Sequence, residues 1–167
     1  MMLPSAKLFP WLALLISGGV LLGAWFFQYV LDYAPCRMCY WQRHAHKVVI
    51  GVAILALFSN HFRWTPAQVW PGLIALAFAV SLGLAFWHVG VEYKWWAGPK
   101  TCMTGPPDTL EFDPGSFLKS LEQPQKLPGC DEAVWHFLGL SMAGWNALIS
   151  LAGLILGLSG FRKTDHV

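Results

Sequence analysis

The sequence predicts an all-α integral membrane protein, a four-transmembrane-helix bundle with two external loops carrying the cysteines. Three observations lead there. Apolar residues make up 56% of the 167 and charged residues 12%, about half the ordinary share of ~25% and too little to cover a water-soluble domain. Long stretches (8–31, 64–91 and 133–161) contain no Asp, Glu, Lys or Arg. Outside those stretches, Cys36, Cys39, Cys102 and Cys130 gather in the same segments as eight of the nine acidic residues. The composition also excludes a disordered chain and a small disulfide-stapled domain. A net charge of +2 is too weak to suggest nucleic acid. The length fits a single membrane domain over 1–167.

A span needs about 20 mostly apolar residues, which places the first near 8–30. A cleaved signal peptide would have a shorter apolar core and small residues after it. Here the run ends in Trp25, Phe26, Phe27 and Tyr29, the aromatic belt of a membrane interface. The second span is the difficult one, because the apolar run 48–58 is too short. Extended to membrane length it covers 39–58 and takes Arg43, His44, His46 and Lys47 into its first turns. Basic side chains can snorkel from there, but ionisable groups at such depth point to function. The third and fourth spans fall near 69–91 and 142–161.

Four spans put both termini on one side and the loops 31–38 and 92–141 on the other. Lys7, Arg63, Arg162 and Lys163 flank the termini side in short segments, a density that favours cytoplasmic termini. The 92–141 segment holds six prolines and reads as a mobile external loop. Within it, Asp113 and Pro114 are suited to start a short helix. Its Phe117, Leu118 and Leu121 would lie on the membrane surface. Trp95 and Trp96 would anchor the loop at the interface.

Cys36-Arg37-Met38-Cys39 is a C-x-x-C motif after Pro35 at the mouth of the second span. A thiol at a helix N-terminus near cationic groups is favoured as thiolate. Cys39 has both advantages, with Arg43 one turn further on and on the same face. A zinc site would pair this motif with a second close Cys/His pair, whereas the other two cysteines stand 28 positions apart. Cys102 and Cys130 form the natural second pair. A plain loop-closing disulfide is one reading of them, and a redox pair is the other. Chain entropy values closure of that loop at about 3.6 kcal/mol, against about 1.9 for the C-x-x-C ring. The difference, about 35 mV, makes the loop pair the more reducing and favours electron flow from it to Cys36/Cys39.

These residues resemble the DsbB family of disulfide bond formation proteins. The resemblance rests on four spans, a C-x-x-C at the mouth of the second with Arg43 four residues after Cys39, and a cysteine pair in the second external loop. The segment Phe137-Leu-Gly-Leu-Ser-Met-Ala-Gly-Trp145 is similar too. The resemblance implies a protein-dithiol:quinone oxidoreductase of the bacterial inner membrane, with cysteines in the periplasm. Its partner would be a periplasmic DsbA-like thiol oxidase, and its cofactor a membrane quinone, ubiquinone or menaquinone. Cys102 would be attacked by the partner, Cys130 would pass electrons to Cys36, and Cys39 would contact the quinone beside Arg43. The residue before this arginine is often acidic in the family; here it is Gln42. His88 and Glu92, one turn apart at the outer end of the third span, are candidates to line the quinone pocket or protonate it. Met142 and Trp145 are candidates to line the ring pocket. His44 and His46 flank Arg43 on other faces, where lipid headgroups would meet them. A four-helix transporter or assembly subunit with structural disulfides, and a metal-binding membrane protein, remain the competing readings.

Overall fold

The computed structural model describes residues 8–62, 69–99, 102 and 129–164. Among them are four long helices and one small hairpin: α1 (Phe9–Tyr29), α2 (Arg37–Phe62), α3 (Val69–Glu92), β1 (His136–Phe137), β2 (Leu140–Ser141) and α4 (Met142–Thr164). α1, α3 and Met142–Phe161 of α4 are long and apolar enough to cross a membrane. α2 is the longest at 26 residues but much less apolar. It begins two residues before the expected second span and ends four residues after it, so Arg37 and Met38 belong to the helix and not to the loop.

Each helix end has a local cause. Pro10 occupies the first turn of α1, where its missing N–H costs nothing. At the other end the N–H groups of Val30 and Leu31 both bond the Phe26 carbonyl, at 2.9 and 3.2 Å, and Asp32 turns the chain with φ 57°. That left-handed conformation is one that Asp tolerates. α2 is capped by sulfur: the Cys39 N–H donates to Cys36 Sγ at 3.2 Å, the bond a serine or aspartate makes at an N-cap. α4 is capped by Ser141, whose Oγ accepts the Gly144 N–H at 3.1 Å.

The hairpin pairs His136 with Ser141 and Phe137 with Leu140. Its two turn residues, Leu138 and Gly139, have φ 51° and 80°, the two-residue turn whose twist matches that of the strands. Residues 129–141 are thus an ordered lid at the head of α4, where the sequence suggested a mobile loop. The helix expected at 113–121 lies outside the described residues.

The most extensive packing is α3 on α4, followed by α2 on α3 and α1 on α2; α1 and α4 touch lightly. Small residues set this order. A Cβ on Gly153 would come 2.6 Å from the Phe78 ring, and one on Gly157 would come 2.7 Å from the Ala75 Cβ. The two glycines let α4 approach α3 closely, as small residues do in membrane bundles. Where α1 and α4 separate, a space is left between them.

Candidate functional site

The site is built at one end of the bundle, where α2 begins and α3 ends. Cys36, as the cap of α2, is 5% exposed, and its Sγ lies 2.8 Å from Cys39 Sγ. The adjacent Cys39 sulfur, and then burial, push the Cys36 thiol up from its ordinary range. Cys102 and Cys130 form a disulfide with Cα atoms 5.2 Å apart. It is held close by the Cys130 N–H on the Cys102 carbonyl at 2.6 Å, and by the Cys102 N–H on the Pro99 carbonyl at 2.8 Å. Cys36, Met38, Val91, Cys102 and Cys130 pack as one buried cluster. Within it, Cys36 Sγ, Cys130 Sγ and a ring nitrogen of His88 all lie within 4.8 Å of one another. While the Cys102–Cys130 bond stands, Cys130 offers no thiolate to a metal.

Two hollows meet this cluster. The larger, about 590 Å³, lies in the gap between α1 and α4 with α2 as its floor. Its wall is mostly apolar, including Phe27, Trp135, Met142, Trp145 and Ile149, with Tyr33, Cys39, Gln42, Arg43, His46 and Asn146 as its polar points. Cys39 and Arg43 share it, as their i,i+4 spacing on α2 requires. Arg43 donates to Gln28 Oε1 and, at 3.1 Å, to the Ala24 carbonyl of α1, and its guanidinium lies over the Tyr40 ring. The smaller hollow, of about 20 Å³, touches Cys36, Cys39, His88 and Glu92.

The family model for "Disulfide bond formation protein DsbB" matches residues 6–159. The chain belongs to the DsbB family. It is 34% identical to disulfide bond formation protein B of Idiomarina loihiensis, covering 95% of this chain and 91% of that protein. Its identity to the protein of that name from Histophilus somni is 31%, over 95% and 90%. For Pasteurella multocida the figures are 32%, over 92% and 85%. No solved structure matches significantly. Membership places the chain among membrane oxidoreductases of disulfide bond formation.

The residues singled out in the sequence line two hollows, with Cys39 and Met142 touching both. Cys39, Arg43, Met142 and Trp145 line the large one. Trp145 is fixed there by its Nε1–H on the Phe137 carbonyl at 3.1 Å. His88 and Glu92 do not reach it. They stand behind the cysteines, because the turn of α3 that carries them packs against α2 and the hairpin. His88 Nε2 lies 3.6 Å from Cys36 Sγ and 3.8 Å from Glu92 Oε1. Glu92 accepts the Ser141 hydroxyl, which ties the end of α3 to the cap of α4. Neither is a water-facing interfacial pair, with His88 3% exposed and the Glu92 side chain 8%.

Spacing within single segments misplaced His46 and missed its partners. His44 is exposed as expected, but His46 is fully buried. It contacts Ser17 Oγ through Nδ1 at 3.1 Å, and Asn146 Oδ1 and Ser81 Oγ through Nε2 at 2.7 and 3.3 Å. Ser81 in turn bonds Ser150 at 2.9 Å. Asn146 Nδ2 donates to Gln42 Oε1 at 2.7 Å, and Gln42 Nε2 donates to His88 Nδ1 at 2.7 Å. A signal was present: Gln42 and His46 on α2, and Asn146 and Ser150 on α4, stand four apart as polar stripes on apolar helices.

Proposed function

We propose that this chain oxidises the dithiol of a soluble DsbA-like partner and passes the electrons to a membrane quinone, ubiquinone or menaquinone. The reading includes four membrane spans in the bacterial inner membrane, with α2 counted as the fourth despite its lower apolar content. Both termini would be cytoplasmic and the cysteine ends of the helices periplasmic. One observation carries it: the Cys36–Cys39 pair stands between two neighbours, with Cys36 Sγ within 4.8 Å of Cys130 Sγ and Cys39 on the wall of the large cavity.

The cavity suits a quinone headgroup. Its volume lies within the ~300–1,000 Å³ typical of small-molecule sites, and such sites are apolar with a few polar groups fixing orientation. Here Arg43 and the second N–H of the Gln42 and Asn146 amides can meet carbonyl oxygens, while Met142 and Trp145 bound the ring. The bound quinone supplies a two-electron, two-proton sink.

The protein's own steps balance as thiol–disulfide exchange. A partner thiolate attacks Cys102 Sγ, the Cys102–Cys130 bond breaks, and the electron pair stays on Cys130. The Cys130 thiolate attacks Cys36 Sγ, breaking the Cys36–Cys39 bond and leaving the pair on Cys39. The partner's second thiolate then takes the partner sulfur from Cys102. Freed, Cys102 attacks Cys130 and expels Cys36. The loop disulfide is restored, and two electrons and their protons stand on Cys36 and Cys39 beside the cavity. Arg43, fixed in charge at neutral pH, favours thiolate at Cys39 and faces charge developing on the ring.

The test is quinone absorbance on mixing the detergent-solubilised protein with a reduced DsbA-like protein. Wild type should bleach the quinone catalytically and Cys39→Ser should not. Bleaching that persists in Cys39→Ser refutes the route. Two cysteine pairs indifferent to both quinone and dithiol favour a structural membrane protein instead.

A further inference from the structure

The buried polar groups between the helices make one continuous chain of hydrogen bonds, and its direction can be read. An amide NH₂ can only donate and an amide oxygen can only accept. Gln42 Nε2 therefore donates to His88 Nδ1, Asn146 Nδ2 donates to Gln42 Oε1, and His46 Nε2 donates to Asn146 Oδ1. With its Nε2 protonated, neutral His46 accepts at Nδ1 from the Ser17 hydroxyl. At the other end, His88 has Nδ1 engaged as an acceptor, so its proton sits on Nε2. The groups around Nε2 agree, since Cys36 Sγ at 3.6 Å and a Glu92 carboxylate oxygen at 3.8 Å are both acceptors. The Cys36 thiol in turn points to Cys39 Sγ. Every bond from Ser17 to Cys39 runs the same way, across α1, α2, α4 and α3. Reversing one amide would force the others to reverse.

We propose that Gln42, Asn146 and His46 are positioning residues: as a relay of fixed sense they hold His88 as the Nε2–H tautomer, aimed at Cys36. The inference rests on the electron route proposed above and names the step it serves. When the Cys102 thiolate attacks Cys130 Sγ, the Cys102–Cys130 bond forms, the Cys130–Cys36 bond breaks, and the electron pair stays on Cys36. Cys36 leaves inside a buried apolar cluster, where an uncompensated thiolate is costly. The Nε2–H of His88 donates to that sulfur as its charge appears. The opposite tautomer would present a lone pair there and oppose the departure. The second nitrogen of a histidine is set by the bond the first one makes, and here that bond comes from an amide on α2 whose own sense is set from α4.

Asn146→Asp separates this role from mere packing. A carboxylate at that place still accepts from His46 but cannot donate to Gln42. The Gln42 amide must then turn its NH₂ to position 146 and its oxygen to His88, which moves the His88 proton to Nδ1. The measurement is made on the full-length protein in detergent micelles, with ¹⁵N-labelled histidine. Ring nitrogen shifts distinguish a protonated from a bare nitrogen, and the His88 signals are assigned by their loss in His88→Gln. Wild type should show the proton on Nε2 and Asn146→Asp on Nδ1. In a single turnover with reduced partner, acid quench and peptide mass spectrometry follow the Cys36–Cys130 linkage. Its breakdown should slow about tenfold or more in Asn146→Asp, the effect of losing a charge-assisted hydrogen bond. If Asn146→Asp does not insert, Asn146→Leu frees the Gln42 amide and should give a mixture of His88 tautomers. A wild-type proton on Nδ1, or a tautomer unmoved by these substitutions, overturns the relay. If the Cys36–Cys130 linkage never forms in wild type, the electron route fails instead, and the tautomer shifts still judge the relay by themselves.

Discussion

Arg43 shows how a single residue can serve both the architecture and the chemistry. A cation on a membrane helix costs about 2.5–3.5 kcal/mol at mid-span on insertion scales, and less near an interface. Here two hydrogen bonds to α1, through Gln28 and the Ala24 carbonyl, and the Tyr40 ring beneath it offset that cost. The same bonds leave it on the cavity wall one turn from Cys39. Arg43→Met should therefore raise the quinone KM by about tenfold, the loss of one charged hydrogen bond. It should also slow quinone reduction, while exchange between Cys102 and the partner is unaffected. Arg43→Lys should fall between, because an ammonium keeps the charge without the planar fork that reaches two acceptors. Steady-state quinone reduction at several quinone concentrations decides it. Wild-type KM and kcat in Arg43→Met would leave the arginine as a tie between α1 and α2 only.

Between elements, the decisive contact is the close approach of α3 and α4. A Cβ on Gly157 would lie 2.7 Å from the Ala75 Cβ and 2.9 Å from its Cα, so no side-chain rotation relieves it. Gly157→Ala should destabilise the fold by about 1–3 kcal/mol, the usual cost of overpacking. Gly51→Ala, with nothing within 4 Å of the added methyl, should not. SDS-titrated unfolding of the micellar protein compares them, and equal midpoints would refute the role given to Gly157. The helices themselves were legible in the sequence, because a charge-free run of membrane length has few other uses; α1, α3 and α4 begin or end within a few residues of the expected spans. α2 was harder, since Gln42, Arg43, His44, His46 and Lys47 dilute the apolar signal of its first turns. The hairpin over 136–141 was not legible. Its strands have two residues each, and a Leu-Gly turn lacks the Asn-Gly signature. The cysteines, Arg43, Met142 and Trp145 could be found by spacing and resemblance. The pairing of His46 with Ser17, Ser81 and Asn146 could not, because these lie 29 to 100 positions away on other helices, even where a polar stripe marks the residue itself.

Among the described residues, large apolar side chains face out and several polar ones are buried within the apolar core, an inversion of the surface of a water-soluble bundle. Leu15, Leu22, Phe58, Leu76 and Ile155 are more than half exposed, while Ser17, His46, Ser81 and Ser150 are fully buried. That inversion is what a hydrocarbon solvent selects, since polar groups there must find partners inside the protein. It also bears on α2. Of the polar residues in the first turns of α2, Gln42 and His46 are buried and Arg43 bonds α1, while Arg37, His44 and Lys47 stay exposed near the cysteine end, where basic side chains can reach an interface. The outer face of α2 carries Val48, Leu55 and Phe58, all more than half exposed. At about 1.5 Å per residue, its 26 residues exceed the ~30 Å of a hydrocarbon core. α2 therefore has both the length and the lipid-facing surface to cross, and four crossings return the chain to the side on which it began. Under the proposed function, disulfide exchange needs an oxidising compartment, which would put the cysteine end of the bundle in the periplasm and both termini in the cytoplasm. A reporter active only in the cytoplasm, fused after Val167, should be active; the same reporter inserted in the 103–128 segment should be silent. A stably expressed fusion with the opposite pattern would invert the orientation. Activity at both places would mean that one of the four helices does not cross, and α2, the least apolar of them by sequence, would be the one to reassign.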